Sequence, residues 1–392
     1  MGSRKEIGYI VGDGIGVDIM PVVLAIVDSA VAKSYDEMRS ILWREIFVGE
    51  KAIARGGEAL SDIALQKIKD IKICLKGPLR TPKNSNFVSL TVELRQRLDL
   101  YACVRPVKYF SGIPAQIRRP EKLNIVIFRE NTEDVYQGIE FKAGTAQAEQ
   151  LRSFLGAVYG KHIKVGSGIG IKSISRECSE RIMRAAIKSA LKNKRKSVCI
   201  VHNGIIMKYT EGAFKDWCYG VAKSFDFKDK IVLESDILKG VDPKDKLIIK
   251  DREAEVMFRE ILLKPQEFDV ICCPNLVGDY LSEACLAQVG GPGLAHSANI
   301  NYEEKIAVFE PSHGTIDKYA GQNKVNPSSM LLSAVMMLNY LEFHEAADLI
   351  VYALEKTLMQ KRMTHDIARF VNGAELLSCS EFGRAVIENM RK

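Results

Sequence analysis

The sequence predicts an α/β protein of about two domains. Short apolar runs typical of buried strands recur along the chain, and amphipathic helical patterns lie between many of them. The length of 392 residues corresponds to roughly two domains of ordinary size. Apolar residues make up 47% and charged residues 27%, which is the balance of a globular protein with a large core.

Six runs rich in β-branched and aromatic residues are predicted as strands. They cover residues 7–11, 71–77, 123–130, 197–201, 268–274 and 305–310. The segment 176–192 predicts a helix with one apolar face, formed by Cys178, Ile182, Ala185, Ala186 and Ala190. The segment 143–175 differs, because a short helical pattern is followed by β-prone residues punctuated by glycine. We interpret it as an arm or an inserted subdomain.

Composition excludes several classes of protein. No run of 18 apolar residues is present, so no membrane-spanning helix is predicted. The apolar run 7–11 near the N-terminus is too short for a signal peptide. Nine cysteines show no C-x-x-C pairing, and Cys272 and Cys273 lie inside an apolar run. We interpret the cysteines as reduced core residues of a cytoplasmic protein without a membrane partner.

The formal net charge of +7 raises the question of an anionic partner. The main basic cluster is residues 192–197, at the end of the predicted helix. Cations there complement the helix dipole, so a solvated helix end is favoured over a nucleic-acid patch. A mildly positive potential also suits an anionic small-molecule substrate.

A glycine-containing turn, "GDGIG" at 12–16, follows the first predicted strand. A dinucleotide-binding G-x-G-x-x-G fingerprint requires a third glycine at the position of Val17, so the fingerprint fails. We interpret the segment as a tight strand–helix turn rather than as a phosphate loop.

Arginines near the ends of predicted elements suggest recognition of carboxylates. Ser89 is a candidate N-cap of a short helix, in which Thr91 and Arg95 share a face at a spacing of four residues. Arg105 and Arg129 follow in later segments. Arginine forms bidentate pairs with carboxylates, so the set suits a polycarboxylate. Ordinary surface arginines are the alternative interpretation.

Two further segments carry weaker signals. Asp279 and Glu283 are four residues apart near a predicted helix start, where hard oxygen ligands suit Mg²⁺ or Mn²⁺. The alternative is an acidic helix N-terminus that the dipole favours. Residues 309–327 contain a His-Gly turn followed by a lysine and a tyrosine, which is compatible with a bound nucleotide.

Taken together, these segments resemble the β-decarboxylating dehydrogenase family, in particular bacterial-type NADP-dependent isocitrate dehydrogenases. The resemblance runs through "LDLYACVRPVKYF", "FRENTEDVYQGIE", "YTEGAFKDW", "GDYLSEA" and "HGTIDKYAGQNKVNPSS". It implies a homodimer with a non-Rossmann α/β fold and an active site shared between subunits. The implied regions are a large domain (1–100 and 290–392), a small domain (101–133 and 176–289) and a clasp (134–175).

The resemblance also implies roles for individual residues. The substrate carboxylates would be held by Ser89, Thr91, Arg95, Arg105 and Arg129, and Tyr136 would protonate the enol product. Mg²⁺ or Mn²⁺ would be bound by Asp279 and Glu283, with Glu255 from the partner subunit. NADP would be bound by His313, Gly314, Lys318, Tyr319, Asn326, His365 and Arg369.

The chain departs from the family at the reactive end of the substrate. Where the family has Lys-x-Asn, this chain has Asn203-Gly204-Ile205, and asparagine has no pKa usable for proton transfer. His202 alternates to the opposite face of its strand and is not expected to replace the lysine. Thr91 stands for an asparagine, and Glu255 and Glu283 stand for aspartates. The sequence therefore predicts an isocitrate dehydrogenase-like oxidoreductase with an altered centre, or alternatively a catalytically silent paralogue that binds nucleotide or polycarboxylate.

Overall fold

The computed structural model describes residues 3–36, 38–80, 89–115 and 117–390. The strands are β1 Ser3–Ile10, β2 Arg39–Glu45, β3 Ile73–Lys76, β4 Ala102–Lys108, β5 Asn124–Glu130, β6 Glu140–Phe141, β7 Ile169–Gly170, β8 Ser197–His202, β9 Ile231–Leu233, β10 Leu247–Glu253, β11 Val270–Cys273, β12 His296–Asn301, β13 Ile306–Pro311, β14 Arg362–Met363 and β15 Glu375–Leu376. The α-helices are α1 Gly16–Tyr35, α2 Glu50–Ile53, α3 Asp62–Ile71, α4 Leu90–Arg97, α5 Ala146–Tyr159, α6 Arg176–Lys192, α7 Glu211–Ala222, α8 Glu234–Ile237, α9 Ala254–Leu263, α10 Asn275–Gln288, α11 Ser328–Tyr340, α12 His344–Met359, α13 His365–Ala368 and α14 Cys379–Asn389.

All six predicted strands are present, as β1, β3, β5, β8, β11 and β13. The prediction missed other strands of the main sheet, among them β4 and β12. The reason is visible in their composition, because β4 contains an arginine and a proline and β12 carries a histidine, a serine and two asparagines. Both strands lie in the middle of the sheet, where these polar side chains are buried.

The main sheet has eleven strands in the order β2-β1-β3-β13-β12-β4-β5-β11-β8-β10-β9. Its outer parts are parallel, whereas the central pairs β13–β12, β12–β4 and β4–β5 are antiparallel. The strands up to β12 come from the predicted large region, and those from β4 onward come from the predicted small region. The two regions thus form contiguous halves of one sheet, while the division into domains remains a prediction.

Helix α6 shows how sequence sets a local boundary. It begins after Ser175, whose hydroxyl accepts a hydrogen bond from the backbone N–H of Cys178, and it ends at Lys192 as predicted. Ile182, Ala186 and Ala190 are buried against the sheet. Cys178, at the first turn of this face, is only partly buried.

The central strands present alternate side chains to the two faces of the sheet. One paired row crosses Phe309, Ala298, Val104 and Phe128, and it lines an apolar face. The next residue on each of these strands turns to the other face, and these residues are polar or charged: Glu310, Asn299, Arg105 and Arg129. The sheet therefore separates an ionic face from an apolar one.

The segment 12–16 is a tight strand–helix turn, as predicted. Gly12 has φ of +85°, and a Cβ there would lie 2.4 Å from the carbonyl oxygen of Pro78. The Asp13 carboxylate accepts hydrogen bonds from the backbone N–H groups of Glu50 and Arg80, each at 2.8 Å. The turn is therefore fixed by its own carboxylate.

The segment 143–175, predicted as an arm, contains helix α5 and strand β7, and β7 pairs antiparallel with β6, which lies just before the segment. Phe154, Val158 and Tyr159 on α5 are more than half exposed. Of the nine cysteines, all are free and eight are buried, which agrees with the predicted core role except for Cys178. Across the described residues, no helix has the length and apolar character needed to cross a membrane.

Candidate active site

Asp279 on α10 lies at the centre of an ionic cluster. Its Oδ1 atom accepts hydrogen bonds from Arg105, at 3.0 Å, and from Arg129. Burial alone would raise the pKa of Asp279, but the charges of Arg129 and Arg105 outweigh it and lower that pKa. The suggestion that Asp279 serves the helix dipole was wrong, because the residue lies beyond the first turn of α10 and pairs with arginines instead.

The position of Arg129 follows from the packing of α10 on β5. Its Nε–H donates to the side-chain oxygen of Asn275 at 2.7 Å. Gly278 allows the close approach, since a Cβ there would lie 2.8 Å from the Cβ of Arg129. Burial and the neighbouring charge of Arg105 lower the pKa of Arg129. Two like charges are thus held together, which favours a bound anion.

Arg105 was predicted near the end of an element but lies within β4. Its guanidinium donates to Ser282 at 2.5 Å as well as to Asp279. Its Nε atom is buried and has no hydrogen-bond partner among the described residues. A buried donor without a partner is costly, so a carboxylate ligand at this point would remove an existing penalty.

Tyr136 contacts the same aspartate from the short 3-10 helix Asp134–Gln137. Its hydroxyl donates to Oδ2 of Asp279 at 2.7 Å, and its ring lies 4.9 Å from the guanidinium carbon of Arg129. Burial, together with the hydrogen bond to Asp279, raises the pKa of Tyr136 to about 12. The phenol therefore keeps its proton at neutral pH and is available as an acid.

Arg95 is held by a buried carboxylate that the sequence did not reveal. Its NH2 group lies 2.5 Å from Oε1 of Glu310, and the ammonium of Lys76 lies 2.5 Å from Oε2. Burial raises the pKa of Glu310, but the charges of Arg95 and Lys76 more than offset this and lower the pKa to about 2. Asn299 donates a further hydrogen bond to this carboxylate at 2.7 Å.

Ser89 and Thr91 lie at the start of α4, before Arg95 on the same helix. Ser89 occupies the N-cap position as predicted, but its side chain makes no capping hydrogen bond. Within the described residues its hydroxyl has no other recorded partner, and segment 81–88 lies outside them. The Ser89 hydroxyl is therefore not committed to the helix.

The cluster carries a positive balance of charge. Four cations, Arg95, Arg105, Arg129 and Lys76, face two carboxylates, Asp279 and Glu310. The electrostatic effect of Arg95 and Arg105 on the pKa of Arg129 places the three guanidinium groups in one neighbourhood. Such a site suits a substrate with two or more carboxylates.

The predicted metal ligands are only partly assembled in one chain. Glu283 lies one helical turn beyond Asp279 and is exposed, and Glu255 is exposed in the first turn of α9. Among the described residues, no group of three or more acidic, histidine or cysteine side chains is arranged to hold a metal ion. Asp279 and Glu283 supply at most two carboxylates from this chain.

A cavity of about 630 Å³ is lined by several of the residues predicted to bind the cofactor. His313, Tyr319, Asn326 and His365 line it, together with apolar Ile15. The Nδ1 atom of His313 is hydrogen-bonded to the carbonyl of Gly314 at 3.0 Å, so Nε2 is the acceptor in the neutral ring. This Nε2 atom is buried without a partner among the described residues, and burial lowers the pKa of His313.

The remaining cofactor candidates lie around this cavity. Lys318 is exposed, with its ammonium 4.8 Å from the ring centroid of Tyr319. Arg369 lines an adjacent hollow of about 380 Å³, which Glu283 also lines. Gly293 and Asp366 border both spaces. The two spaces are therefore neighbours, and the second one extends toward α10.

Asn203 follows β8, two strands from β5 in the same parallel part of the sheet. Its backbone N–H donates to Glu211 at 2.6 Å, while its side chain has no hydrogen bond within the described residues. Ile205 is 67% exposed. Within one chain, the loop makes no recorded contact with Asp279 or Tyr136.

His202, at the end of β8, is held by contacts within its own chain. It is buried, with Nε2 at 3.1 Å from Asp251 and Nδ1 accepting a hydrogen bond from the backbone N–H of Gly204 at 3.0 Å. Lys208 is exposed and has no carboxylate partner in the described chain.

Comparisons with known proteins identify the family of this chain. Residues 6–386 match the family model described as isocitrate/isopropylmalate dehydrogenase. The chain belongs to this family. It is 46% identical to the NADP isocitrate dehydrogenase of Staphylococcus epidermidis over 407 residues, covering 99% of this chain and 96% of the relative. It is 48% identical to the enzyme of that name from Coxiella burnetii over 394 residues, covering 99% and 92% of the two chains.

Solved structures give the same fold. The crystal structure of isocitrate dehydrogenase from Methylococcus capsulatus matches with a TM-score of 0.80 at 29% identity, covering 99% of this chain and 100% of that one. The TT0538 protein from Thermus thermophilus matches with a TM-score of 0.79 at 32% identity, covering 99% and 68%. The predicted fold class is confirmed, and the chain is a member of an oxidoreductase family.

Proposed function

We propose that this protein is an NADP- and divalent-metal-dependent dehydrogenase that oxidatively decarboxylates isocitrate or a related 2-hydroxy polycarboxylate, with an altered reactive centre. The observation that carries the proposal is the cluster in which Arg105, Arg129 and Tyr136 converge on Asp279. Cations to bind carboxylates and a phenol that retains its proton meet at one point. The family membership supports the same reaction class.

The cofactor cavity fits an adenine nucleotide. The buried Nε2 atom of His313 accepts no hydrogen bond among the described residues, and it would accept one from an exocyclic amino group. Exposed Arg369 lines the second space, and exposed Lys318 lies beside Tyr319, which lines the first. Their charges suit a 2′-phosphate, which supports NADP over NAD. When bound, NADP supplies the hydride acceptor of the reaction.

The carboxylates of Asp279 and Glu283 are hard oxygen ligands of the kind that Mg²⁺ and Mn²⁺ prefer. Since one chain offers no complete set among the described residues, we propose that Glu255 of a second copy completes it. A divalent ion there supplies charge stabilisation for the substrate oxygen. The added methylene of each glutamate, relative to aspartate, moves the carboxylate by about an ångström.

A homodimer is supported by exposed apolar residues near the site. Ile206 is 77% exposed, Tyr209 93% and Leu263 69%, and Tyr280 on α10 is 60% exposed. Leu263 and Tyr280 lie on α9 and α10, which pack against each other, and α9 also contacts β8, which leads into the loop that carries Ile206 and Tyr209. Apolar residues so placed mark a protein interface. We propose that this interface brings Asn203 and Glu255 to the site of the other copy.

The residues of this chain would act in the following order. Arg105 and Arg129 pair with substrate carboxylates and orient the hydroxyl-bearing carbon. The substrate hydroxyl must lose its proton as the hydride leaves, and Asn203 can accept a hydrogen bond from it but cannot take that proton. After loss of CO₂, Tyr136 donates its proton to the carbanion carbon. Only the first proton transfer lacks a competent group.

The silent paralogue is the second candidate, and the geometry around Asn203 favours it. Among the described residues of one chain, the adjacent His202 is fixed by Asp251 and by the N–H of Gly204, so it is not free to replace the lysine. Under this alternative the arginines and the cofactor cavity bind ligands without turnover. Initial-rate measurement of NADP reduction with isocitrate and Mn²⁺, alongside calorimetric binding of both ligands, separates the two candidates. Turnover above background supports the dehydrogenase, and tight binding without turnover supports the paralogue.

A further inference from the structure

A large groove lies on the face of the sheet opposite the ionic cluster. It has a volume of about 1150 Å³ and runs between α6 and α11 above the central strands. Its floor is apolar and includes Val104, Val126, Ala298 and Phe309. These residues alternate along their strands with the charged and polar residues of the active-site face, so the groove and the candidate active site are separate.

The wall formed by α6 and the loop after it is strongly basic. Seven lysines and arginines line the groove, whereas only two carboxylates do so, in a chain whose whole formal net charge is +7. Three of the basic residues are already paired: Arg181 with Asp99 at 2.7 Å, Arg184 with Asp226 at 2.9 Å, and Arg195 with Asp269 at 3.8 Å.

The lysines of this wall have no such partners. Among the described residues, no carboxylate lies within 4.0 Å of the ammonium groups of Lys188, Lys192, Lys194 and Lys196. Lys188 and Lys192 are four residues apart on α6, where like charges repel each other. Because nothing in the described chain neutralises this stripe, it has the charge of a site for a polyanion.

Aromatic side chains line the other part of the groove. Tyr302 is 38% exposed and lies against Tyr101, with ring centroids 6.3 Å apart. The ring of Tyr340 packs edge-on against the ring of Phe309, with the two centroids 5.8 Å apart. Arg181 lies beside Tyr101, at the aromatic end of the groove, and Lys192 lies eleven residues further along α6. The aromatic end of the groove is therefore roughly 16 Å from Lys192 along the helix axis.

We propose that this groove is a binding site for a nucleoside triphosphate, with the base against Tyr302 and Tyr340 and the phosphates at Lys188 and Lys192. A bare polyanion would leave the aromatic surface unused, and an apolar acid would leave most of the lysines unpaired. A nucleoside triphosphate matches both ends, since aromatic rings stack on bases and lysines pair with phosphates. The proposal does not rest on the proposed dehydrogenase activity.

The test measures binding of ATP to the full chain by calorimetry, in EDTA so that no metal ion shields the phosphates. The double variant Lys188→Glu with Lys192→Glu should weaken ATP binding by about a hundredfold, since each charge-assisted contact contributes about tenfold or more. NADP affinity should stay unchanged, because the cofactor cavity is elsewhere. The matched control Lys239→Glu with Lys246→Glu makes the same charge change at exposed positions outside the groove.

The proposal would be overturned by absence of ATP binding to the parent protein, by equal loss of binding in both double variants, or by full displacement of ATP by NADP. Tighter binding of a single-stranded oligonucleotide than of ATP would likewise replace it with a nucleic-acid site. Tyr302→Ala should weaken the binding of ATP but not the binding of inorganic triphosphate. Equal effects on the two affinities would refute the contact between Tyr302 and the base. If the double variant Lys188→Glu with Lys192→Glu does not fold, the variant Lys188→Gln with Lys192→Gln provides the same comparison.

Discussion

The hydroxyl of Tyr136 donates a hydrogen bond to the Oδ2 atom of Asp279 over 2.7 Å. This contact joins the proposed acid to the proposed metal ligand. Burial and this hydrogen bond raise the pKa of Tyr136 to about 12, whereas the charge of Arg129 opposes the shift. The carboxylate thus keeps the phenol protonated until an approaching ligand competes for it.

Replacing the carboxylate should change the titration of this phenol. Asp279→Asn removes a negative charge beside the hydroxyl, so the pKa of Tyr136 should fall toward the ordinary value for tyrosine. NMR of ring-labelled tyrosine over alkaline pH measures the shift, with Tyr136→Phe identifying the signal. Glu283→Gln is the control and should leave the pKa unchanged. An unaltered pKa in Asp279→Asn would show that the contact has no influence on the proton.

Glu310 should make folding stability depend on acid pH. Its pKa is about 2 in the folded protein, against 4.5 for an unperturbed glutamate carboxyl. The stability that it contributes is therefore complete above about pH 4.5 and is lost as the pH falls toward 2. Glu310→Gln leaves Arg95 and Lys76 without their counter-charge, so it should destabilise by about 3–5 kcal/mol at pH 7.

Denaturant unfolding at several pH values measures this effect. The difference between the parent and Glu310→Gln should shrink between pH 4.5 and the most acid pH at which both still fold. Glu304→Gln serves as control, since this residue is exposed near the turn that precedes β13. A pH-independent difference would mean that Glu310 acts through shape rather than through its charge.

Arg105 should matter for acid binding and not for the cofactor. Arg105→Ala removes a buried cation whose Nε has no partner among the described residues, and a charge-assisted contact contributes about 1.5–3 kcal/mol. Isocitrate affinity should fall by about tenfold or more, with NADP affinity nearly unchanged. Calorimetry checks both, with the exposed Arg259→Ala as control. Failure of the parent protein to bind any 2-hydroxy polycarboxylate would end this assignment.

Arg369 should discriminate between the two nicotinamide cofactors. If its guanidinium pairs with the 2′-phosphate of NADP, Arg369→Ala should lower the affinity for NADP by about tenfold or more and leave the affinity for NAD unchanged. Fluorescence titration with each cofactor measures the two affinities. Arg384→Ala, at an exposed position of α14, is the matched control. Equal losses for NADP and NAD would assign Arg369 to general packing.

The sequence predicted the apolar strands well because a buried parallel strand is a continuous hydrophobic run. It missed β4 and β12 because their polar residues belong to the site, where burial of Arg105 and Asn299 is compensated by partners elsewhere in the chain. Periodicity carries no information about such partners. Composition therefore hides strands such as β4 and β12, in which polar residues interrupt the apolar run, whereas β5 and β13 were found because Arg129 and Glu310 come near the ends of their apolar runs.

The candidate site shows the same limit. The arginines were identified from residue type, but nothing local in the sequence distinguished Glu310 from any other glutamate at a strand end. Its importance arises from burial between Lys76 and Arg95, which precede it by 234 and 215 residues along the chain. Conversely, Asn203 was singled out only by resemblance, and a single chain does not bring it to Asp279.

The altered centre can be tested by restoring the family residues. Asn203→Lys alone should recover little activity, because an ammonium beside Ile205 lacks a polar neighbour and desolvation would lower its pKa. The pair Asn203→Lys with Ile205→Asn should exceed either single change, with positive coupling in a double-mutant cycle. Adding Glu283→Asp should help further if the metal ligand is also displaced. Exposed Leu238→Asn, outside this loop, is the control for a polar change at the surface.

The central claim is that the chain retains its binding groups but lacks the group for the first proton transfer. The measurement is the initial rate of NADP reduction with saturating isocitrate and Mn²⁺, for the parent and for the double variant Asn203→Lys with Ile205→Asn. A positioned acid–base group contributes about 10²–10⁴-fold, so the double variant should exceed the parent by up to that factor. A parent that already turns over as fast as the double variant, or faster, would contradict the claim.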